Sequence, residues 1–333
     1  MYSLILGGLG FIGLNYILQN VNKKIICVDN QSYAANSDYL KILKKNKNFT
    51  FIKGNISNKK ILVNIFNKYR INHIINFAAE THVDNSILNP KIFVKRNVYD
   101  FVEFLINLSN IIKQKKIKIK YLHISTDEVY GSLKKKQNKF TENDKFFSNS
   151  PYSASKASAE NFLRSWGETF GFKYIIVNPS NNFGPYQNRE KFIPTIINSL
   201  IQKKKIPVYG NGSNIRDWLF VNDHCKILNK ILEKGINGES YNVGGNNELS
   251  NLNLVKKICL IFNKIDPDYN HFKLIDFVKD RSGHDFRYGI NNAKIKKLIG
   301  QKFFQMNFDK NLKYTINWYL KNKSKRSRKK IKI

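Results

Sequence analysis

Leu4-Ile5-Leu6-Gly7-Gly8-Leu9-Gly10-Phe11-Ile12-Gly13 carries an apolar strand straight into a glycine turn and on into a helix. Gly7, Gly10 and Gly13 sit at the spacing of a dinucleotide-binding turn. The first permits the tight turn, the second lets backbone approach a pyrophosphate, and the third lets helix and strand pack closely. A pyrophosphate there faces a helix N-terminus, where free N–H groups and the helix dipole favour anions. Glycine turns also serve as plain structure, so the motif needs company.

The company follows at once. Strand-like runs at Leu4–Leu6, Ile25–Val28, Phe49–Ile52, His73–Phe77, Tyr121–Ile124 and Tyr174–Val177 alternate with helical periodicity near 11–20, 37–46, 58–69, 90–113 and 155–170. Such alternation predicts an α/β fold of the Rossmann type, a doubly wound parallel sheet with helices on both faces. Ligands of these sheets bind beyond the carboxyl ends of the strands. Gly7–Gly13, Asp29, Asn55, Ala78–Thr81 and Ser125–Glu128 all fall on that rim. After residue 180 the character changes. Asn, Gly and Pro cluster through Asn181–Gln187 and Pro207–Asn214, with short helices near 191–203, 223–234, 250–263 and 309–321. The expected organisation is a dinucleotide-binding domain over 1–180 with returning elements near 217–244, a smaller C-terminal substrate-binding lobe over 181–322, and a basic, solvated tail over 323–333.

Bulk properties narrow the class. The chain has 333 residues, enough for one large α/β domain with a smaller lobe, and its 42% apolar content fits a soluble globular protein. No apolar run is long enough to span a membrane, and the first strand starts too early to leave room for a signal peptide. Cys27, Cys225 and Cys259 are scattered and read as reduced, buried thiols of a cytoplasmic protein. The six histidines form no ligand cluster, so no metal is expected. The net charge of +33 raises nucleic-acid binding as a remote alternative. The lysines are spread in short runs rather than in one aromatic-interleaved patch, however, and Lys, Asn and Ile abound everywhere. No nucleic-acid partner is expected, and a positive field suits a substrate carrying two phosphates.

Three constellations carry chemistry. Asp29 follows the second strand, sixteen residues after Gly13, where a carboxylate accepts ribose hydroxyls and repels a 2′-phosphate. NAD is therefore expected over NADP. Tyr152 and Lys156 form Tyr-x-x-x-Lys, which shares one helix face. An ammonium beside a phenol favours the phenolate, so Tyr152 is expected to act as a base near neutral pH. Thr126-Asp127-Glu128 places two adjacent carboxylates at a strand end. In one pocket, different environments would split their pKa values into an acid and a base; on the surface they would be an ordinary acidic turn.

The motifs in order resemble the extended short-chain dehydrogenase/reductase superfamily, and within its sugar-nucleotide-modifying branch they are similar to the dTDP-glucose 4,6-dehydratases. The resemblance runs from residue 2 to about residue 320. It rests on the glycine turn, Phe77-Ala78-Ala79-Glu80-Thr81-His82-Val83-Asp84, His123-Ile124-Ser125-Thr126-Asp127-Glu128-Val129-Tyr130-Gly131 and Ser150-Pro151-Tyr152-Ser153-Ala154-Ser155-Lys156. Ser180-Asn181-Asn182-Phe183-Gly184-Pro185-Tyr186-Gln187, Ile215-Arg216-Asp217-Trp218-Leu219 and Asp280-Arg281-Ser282-Gly283-His284-Asp285 complete it.

The resemblance implies an internal redox elimination of water from one bound nucleotide sugar, giving a 4-keto-6-deoxy product of the kind that feeds dTDP-rhamnose and surface polysaccharide synthesis. Tyr152 would take the C4 hydroxyl proton, Lys156 would tune it and hold the nicotinamide ribose, and Thr126 would bond near the C4 oxygen. Glu128 would remove the C5 proton and Asp127 would protonate the departing C6 hydroxyl. Cofactor contacts carry over to Gly7, Gly10, Phe11, Ile12, Gly13, Asp29, Asn30, Ser32, Asn55, Ile56, Phe77, Ala78, Ala79, Glu80 and Asn182, with Tyr152 and Lys156. Substrate contacts carry over to Thr81, Thr126, Asn181, Glu190, Lys191, Pro207, Tyr209, Arg216, Asn251, Arg281, His284 and Tyr288. A homodimer through the helices near 90–113 and 155–170 is implied as well. Asn55 stands where the family usually has Asp toward the adenine, Arg96 and Leu6 replace frequent Thr residues, and Ser282 replaces a common Pro. The alternatives are a 4,6-dehydratase acting on a UDP-, GDP- or CDP-sugar, or a sugar-nucleotide 4-epimerase or decarboxylase. The Asp127-Glu128 pair separates the 4-epimerase, which needs no proton removed at C5.

Overall fold

A computed structural model describes residues 1–322; the expected basic tail over 323–333 lies outside the described residues. Its strands in chain order are β1 (Tyr2–Leu6), β2 (Ile25–Asp29), β3 (Phe49–Lys53), β4 (Ile71–Asn76), β5 (Lys120–Ile124), β6 (Tyr174–Pro179), β7 (Asn181–Phe183), β8 (Ile206–Tyr209), β9 (Ile215–Phe220), β10 (Ser240–Val243), β11 (Glu248–Ser250) and β12 (Ile275–Val278). Seven of them form one sheet in the order β10-β6-β5-β4-β1-β2-β3, and every pairing in it is parallel. This is the doubly wound arrangement. The chain leaves β1 toward β2 and β3, then returns to place β4 on the other side of β1, which opens a crevice at the strand ends between them.

Alternation along the strands builds two cores. Leu4, Leu6, Ile26, Val28 and Ile74 face one side, against Phe101, Phe104, Leu105 and Leu108 of the helix Asp100–Lys115 and Leu163 of the helix Pro151–Phe170. Ile5, Cys27, Ile75, Leu122 and Val177 face the other, against Leu14 and Ile17 of the helix Phe11–Gln19 and Leu228 and Ile231 of the helix Val221–Lys234. Strands buried on both faces read as near-continuous apolar runs, which is why these were visible in the sequence. A third core joins β8 and β9 to the helices Phe192–Ile201, Asn251–Ile265 and Phe308–Lys321. There β11, β9 and β7 make a small mixed sheet and β12 pairs with β8. All three cysteines are buried and free. Among the described residues no helix is long and apolar enough to cross a membrane.

Three elements differ from expectation. The segment near 37–46 is only a 3₁₀ turn, Ser37–Tyr39, and a single helical turn, Leu40–Leu43, in which only Leu43 is buried. The stretch 90–113 is Pro90–Phe93, a π-helical turn Val94–Tyr99 and then Asp100–Lys115. That turn makes room for Asn97 to point inward, a use typical of π-bulges near functional sites. The helix expected from 155 starts at Pro151, with Ser150 and Ser153 forming a reciprocal cap and Pro at the first helical position. Its early start puts Tyr152 in the first turn, at the rim of the sheet.

Leu105 is fully buried between the sheet and its helix. Leu105→Ala is expected to cost about 2–5 kcal/mol of stability, read as a lower denaturation midpoint with an unchanged denaturant slope.

Candidate active site

The glycine turn is held by close packing. Gly7 has φ +69°, and a Cβ there would lie 2.6 Å from both the nitrogen and the Cα of Ala78 at the end of β4. A Cβ on Gly13 would lie 2.6 Å from the Gly7 carbonyl oxygen. Gly10 precedes the helix Phe11–Gln19, and no side chain caps that helix end. An uncapped helix N-terminus over a backbone cradle fits a pyrophosphate. Asp29 closes the turn from the next strand. Its carboxylate is almost fully buried and accepts the N–H of Leu9 at 2.9 Å and of Gln31 at 2.7 Å. Burial raises its pKa while those two donors lower it. Each oxygen keeps a lone pair for a ribose hydroxyl.

Gly7, Gly10, Asp29, Asn30, Ser32, Asn55, Ile56 and Phe77–Glu80 line one cleft, and Phe11, Ile12, Gly13, Asn182, Tyr152 and Lys156 line a second that shares Gly7, Gly10, Phe77 and Ala79 with it. Every residue expected to contact NAD therefore falls along one trough. The departures Asn55 and Arg96 meet at its outer end. Asp100 Oδ2 accepts from Asn55 Nδ2 at 2.8 Å and from Arg96 Nη1 at 2.9 Å. That bond leaves the Asn55 amide turned with its oxygen toward the N–H of Ser57, at 3.2 Å.

At the end of β5 the chain turns through a 3₁₀ element, Asp127–Tyr130, capped by Thr126, whose Oγ1 accepts the Glu128 N–H at 3.3 Å. The tight turn drives both carboxylates inward. Asp127 and Glu128 are both buried, and their surroundings differ. Burial raises Asp127 well above the ordinary carboxylate range, and Glu128 and Asp217 add to this against Arg216. Burial also raises Glu128, but Arg281, Arg216 and Lys191 all pull it back. Burial shifts both acids upward, Asp127 well above its ordinary range, while three cations offset part of the shift on Glu128, which leaves Glu128 the easier of the two to ionise.

Tyr152 and Lys156 come up from the helix beneath, both buried. Lys156 Nζ donates to the Ile124 carbonyl at 2.8 Å and lies 3.5 Å from His123 Nε2. Burial lowers its pKa to about 8. The expectation that Lys156 depresses the tyrosine pKa is corrected here. Burial and the neighbouring carboxylates Glu128 and Asp127 push the Tyr152 phenol up, and the opposing influence is a hydrogen bond with Thr126. The ammonium is engaged with Ile124, and the charges that act on the phenol, Glu128 and Asp127, are negative.

A third cavity opens beyond Glu128 and is lined by Thr81, Asn181, Glu190, Lys191, Pro207, Tyr209, Arg216, Asn251, Arg281, His284 and Tyr288. Together with Thr126 in the adjoining cleft, these are all of the expected substrate residues. Buried Arg216 donates to the main-chain carbonyls of Ile215 at 2.8 Å and Asp285 at 2.9 Å, and its guanidinium lies 4.2 Å from the centre of the Tyr288 ring. Arg281 reaches Asp84 at 3.3 Å, and its buried Nε has no partner among the described residues. Unspent donors on two arginines fit phosphate oxygens. Lys191 Nζ donates to the Thr81 carbonyl at 2.8 Å, and His284 Nδ1 is 2.6 Å from Asp280. Glu190 is more peripheral and exposed, accepting from Tyr33 at 3.1 Å. No group of His, Cys, Asp and Glu is placed to hold a metal among the described residues.

Sequence reasoning missed four buried supports. Asn97 accepts the Glu80 N–H at 2.8 Å and donates to the Glu80 carbonyl and to Ser155 Oγ, tying the rim of β4 to the tyrosine helix. His123, Asn178 and Glu160 pack around Lys156 and Thr126. His123 and Asn178 stood out only as polar residues inside apolar strand runs, and Asn97 and Glu160 did not stand out at all.

Fold and site define a Rossmann-fold enzyme of the extended short-chain dehydrogenase/reductase class, with a dinucleotide trough opening onto a buried pair of carboxyl side chains. A family model described as GDP-mannose 4,6 dehydratase matches residues 4–314. The dTDP-glucose 4,6-dehydratase of Haemophilus influenzae is 41% identical over 97% of this chain and 99% of its own length. The dTDP-glucose 4,6-dehydratase of Streptomyces venezuelae, solved with NAD bound, superposes with a TM-score of 0.88 at 32% identity over 97% of this chain and 98% of that one. The Bacillus anthracis enzyme in complex with NAD gives 0.84 at 38% identity, with the same shares covered. The chain belongs to the dTDP-glucose 4,6-dehydratase family.

Burying Asp127 is expected to cost stability as its proton leaves. A carboxyl whose folded pKa is raised is least costly below the ordinary carboxylate range, and stability falls as pH rises through the higher folded value. Asp127→Asn should therefore raise the melting temperature, by more at pH 8 than at pH 5 (about these values, bracketing neutrality). Thermal scans of apoprotein at both pH values check the sign.

Proposed function

We propose that this chain is an NAD-dependent hydro-lyase that converts dTDP-glucose to dTDP-4-keto-6-deoxyglucose. The observation that carries this reading is the split environment of Asp127 and Glu128 beside Tyr152 and Lys156. When bound, NAD supplies the hydride acceptor for C4 and the donor for C6, and its positive ring favours the tyrosine anion. Tyr152 takes the C4 hydroxyl proton, with Thr126 steadying the same oxygen and Lys156 fixing the ribose. A carbonyl at C4 acidifies the C5 hydrogen. Glu128, the carboxylate whose burial is partly offset by Arg281, Arg216 and Lys191, removes that proton, and protonated Asp127 gives its proton to the departing C6 hydroxyl, which leaves as water. Glu128 then returns its proton to C5. The hydride taken from C4 is returned at C6, so there is no net redox change, and passage of the C4-hydroxyl proton from Tyr152 to Asp127 resets both groups for the next turnover.

In the same reading, residues 1–180 with the helix Val221–Lys234 and β10 hold NAD, and residues 181–322 hold the nucleotide and sugar. Two copies pair through the helical faces near 90–113 and 155–170, where Val94, Tyr99, Phe162 and Phe170 stand exposed. The enzyme works in the cytoplasm, at a step that feeds deoxysugar assembly for surface polysaccharide.

Purified protein should convert dTDP-glucose with loss of one water, seen by mass spectrometry, without added oxidant and faster than UDP-glucose. A preference for UDP-glucose would overturn the choice of base. Glu128→Gln should bind the sugar nucleotide normally and lose about 10²-fold or more in turnover, while Tyr152→Phe should block the first oxidation. Reduced-cofactor absorbance building up in Tyr152→Phe would contradict its role.

A further inference from the structure

We propose that Glu160 is a positioning residue of the active site, which works through Asn178 to hold the turn carrying Thr126, Asp127 and Glu128 against the helix carrying Tyr152 and Lys156. Glu160 and Asn178 are both fully buried. One amide nitrogen makes the bridge: Asn178 Nδ2 donates to Glu160 Oε1 at 2.7 Å and to the Thr126 carbonyl at 3.2 Å. Both amide hydrogens are spent in doing so, which fixes the amide orientation. Glu160 lies one helical turn beyond Lys156, on the same buried face. Lys156 in turn ties that helix to the Ile124 carbonyl, two residues before Thr126. The tyrosine helix thus grips the end of β5 at two points, directly through Lys156 and indirectly through Glu160 and Asn178.

The carboxylate is costly where it stands. Beyond Asn178 it feels the Ser125 hydroxyl, while its second oxygen makes no short hydrogen bond among the described residues and Arg164, partly exposed, approaches only to 3.6 Å. Arg164 instead donates to Ser240 Oγ at 2.6 Å, on β10 beside β6. A buried carboxylate so thinly paired is a poor stabiliser. It makes sense as a rigid acceptor that orients Asn178, because a 1 Å error in the acid/base turn costs about 10²-fold in rate.

The inference rests on the catalytic roles proposed above, and its test separates the two. Glu160→Met removes the acceptor while keeping an apolar filling, Asn178→Val cuts the same bridge from a residue type that suits a buried strand, and Glu160→Gln restores an acceptor oxygen. We expect hydrogen exchange in peptides spanning 125–131 to accelerate about tenfold or more in the first two variants and to remain near wild type in Glu160→Gln, a readout that needs no substrate. Turnover should fall about 10–100-fold in the same two variants, with KM and bound NAD near wild type and activity rescued in Glu160→Gln. Unchanged exchange and turnover in Glu160→Met would overturn the proposal, as would equal losses in Glu160→Gln, or activity loss matched by loss of bound NAD. Should Glu160→Met not fold, Asn178→Val decides. A wild-type protein that leaves dTDP-glucose unreacted would sink the reading of the reaction while leaving the exchange test of the clamp intact.

Discussion

Everything in the site depends on how closely two strand ends approach each other. The turn after β1 packs against the end of β4 with no space for a side chain at Gly7, where a Cβ would sit 2.6 Å from Ala78 backbone. The parallel order places β1 and β4 side by side where the winding reverses. Close approach there makes a narrow backbone cradle instead of a wide groove. Because the helix Phe11–Gln19 starts at that cradle without a side-chain cap, its free N–H groups stay available for an anion. Asp29 and Asn97 then pin the neighbouring rims by accepting main-chain N–H groups of Leu9 and Glu80.

The chemistry is arranged at the expense of stability. Asp127, Glu128, Tyr152, Lys156, Glu160 and Arg216 are all buried within one region. Ionised groups there are poorly solvated, and most lack a close opposite partner. Placing Asp127 near Glu128 and Asp217, with Arg216 and Arg281 acting on Glu128, lets one shared burial raise the two carboxyls to different extents. Such strain persists because the three hydrophobic cores around it over-determine the backbone.

The sheet was legible because strands buried on both faces have no polar alternation to disguise them. The central pairs Tyr152–Lys156 and Asp127–Glu128 were legible because each is local, four residues apart or adjacent. Arg216 and Arg281 carried no local signal beyond what the family resemblance lent them, since a lone arginine in so basic a chain reads as surface charge. Asn97, His123, Glu160 and Asn178 were illegible for a related reason: nothing in a sequence says which polar residue of a strand or helix turns inward. The start of the helix at Pro151 did carry its signal, Ser150 with Ser153 and Pro at the first helical position, but apolar periodicity begins later and masked it. The direction of the Tyr152 shift needed burial and the distant carboxylates, which spacing on one helix cannot supply.

The same reasoning separates the net charge from the function. The chain carries 57 basic residues against 24 acidic ones, yet only a few of the basic ones enter the site. Exposed lysines act through water and salt, so their influence fades within about 10 Å at ordinary ionic strength. Buried Lys156 and Arg216, with Lys191 and Arg281 at the cavity wall, act where screening is weak and hydrogen-bond geometry is fixed. Removing a surface lysine changes a diffuse field, whereas removing Arg216 or Arg281 takes away a cation that offsets the burial of Glu128. The electrostatic surroundings of Glu128 are therefore set by a handful of desolvated cations, and the large excess outside adds a long-range positive field.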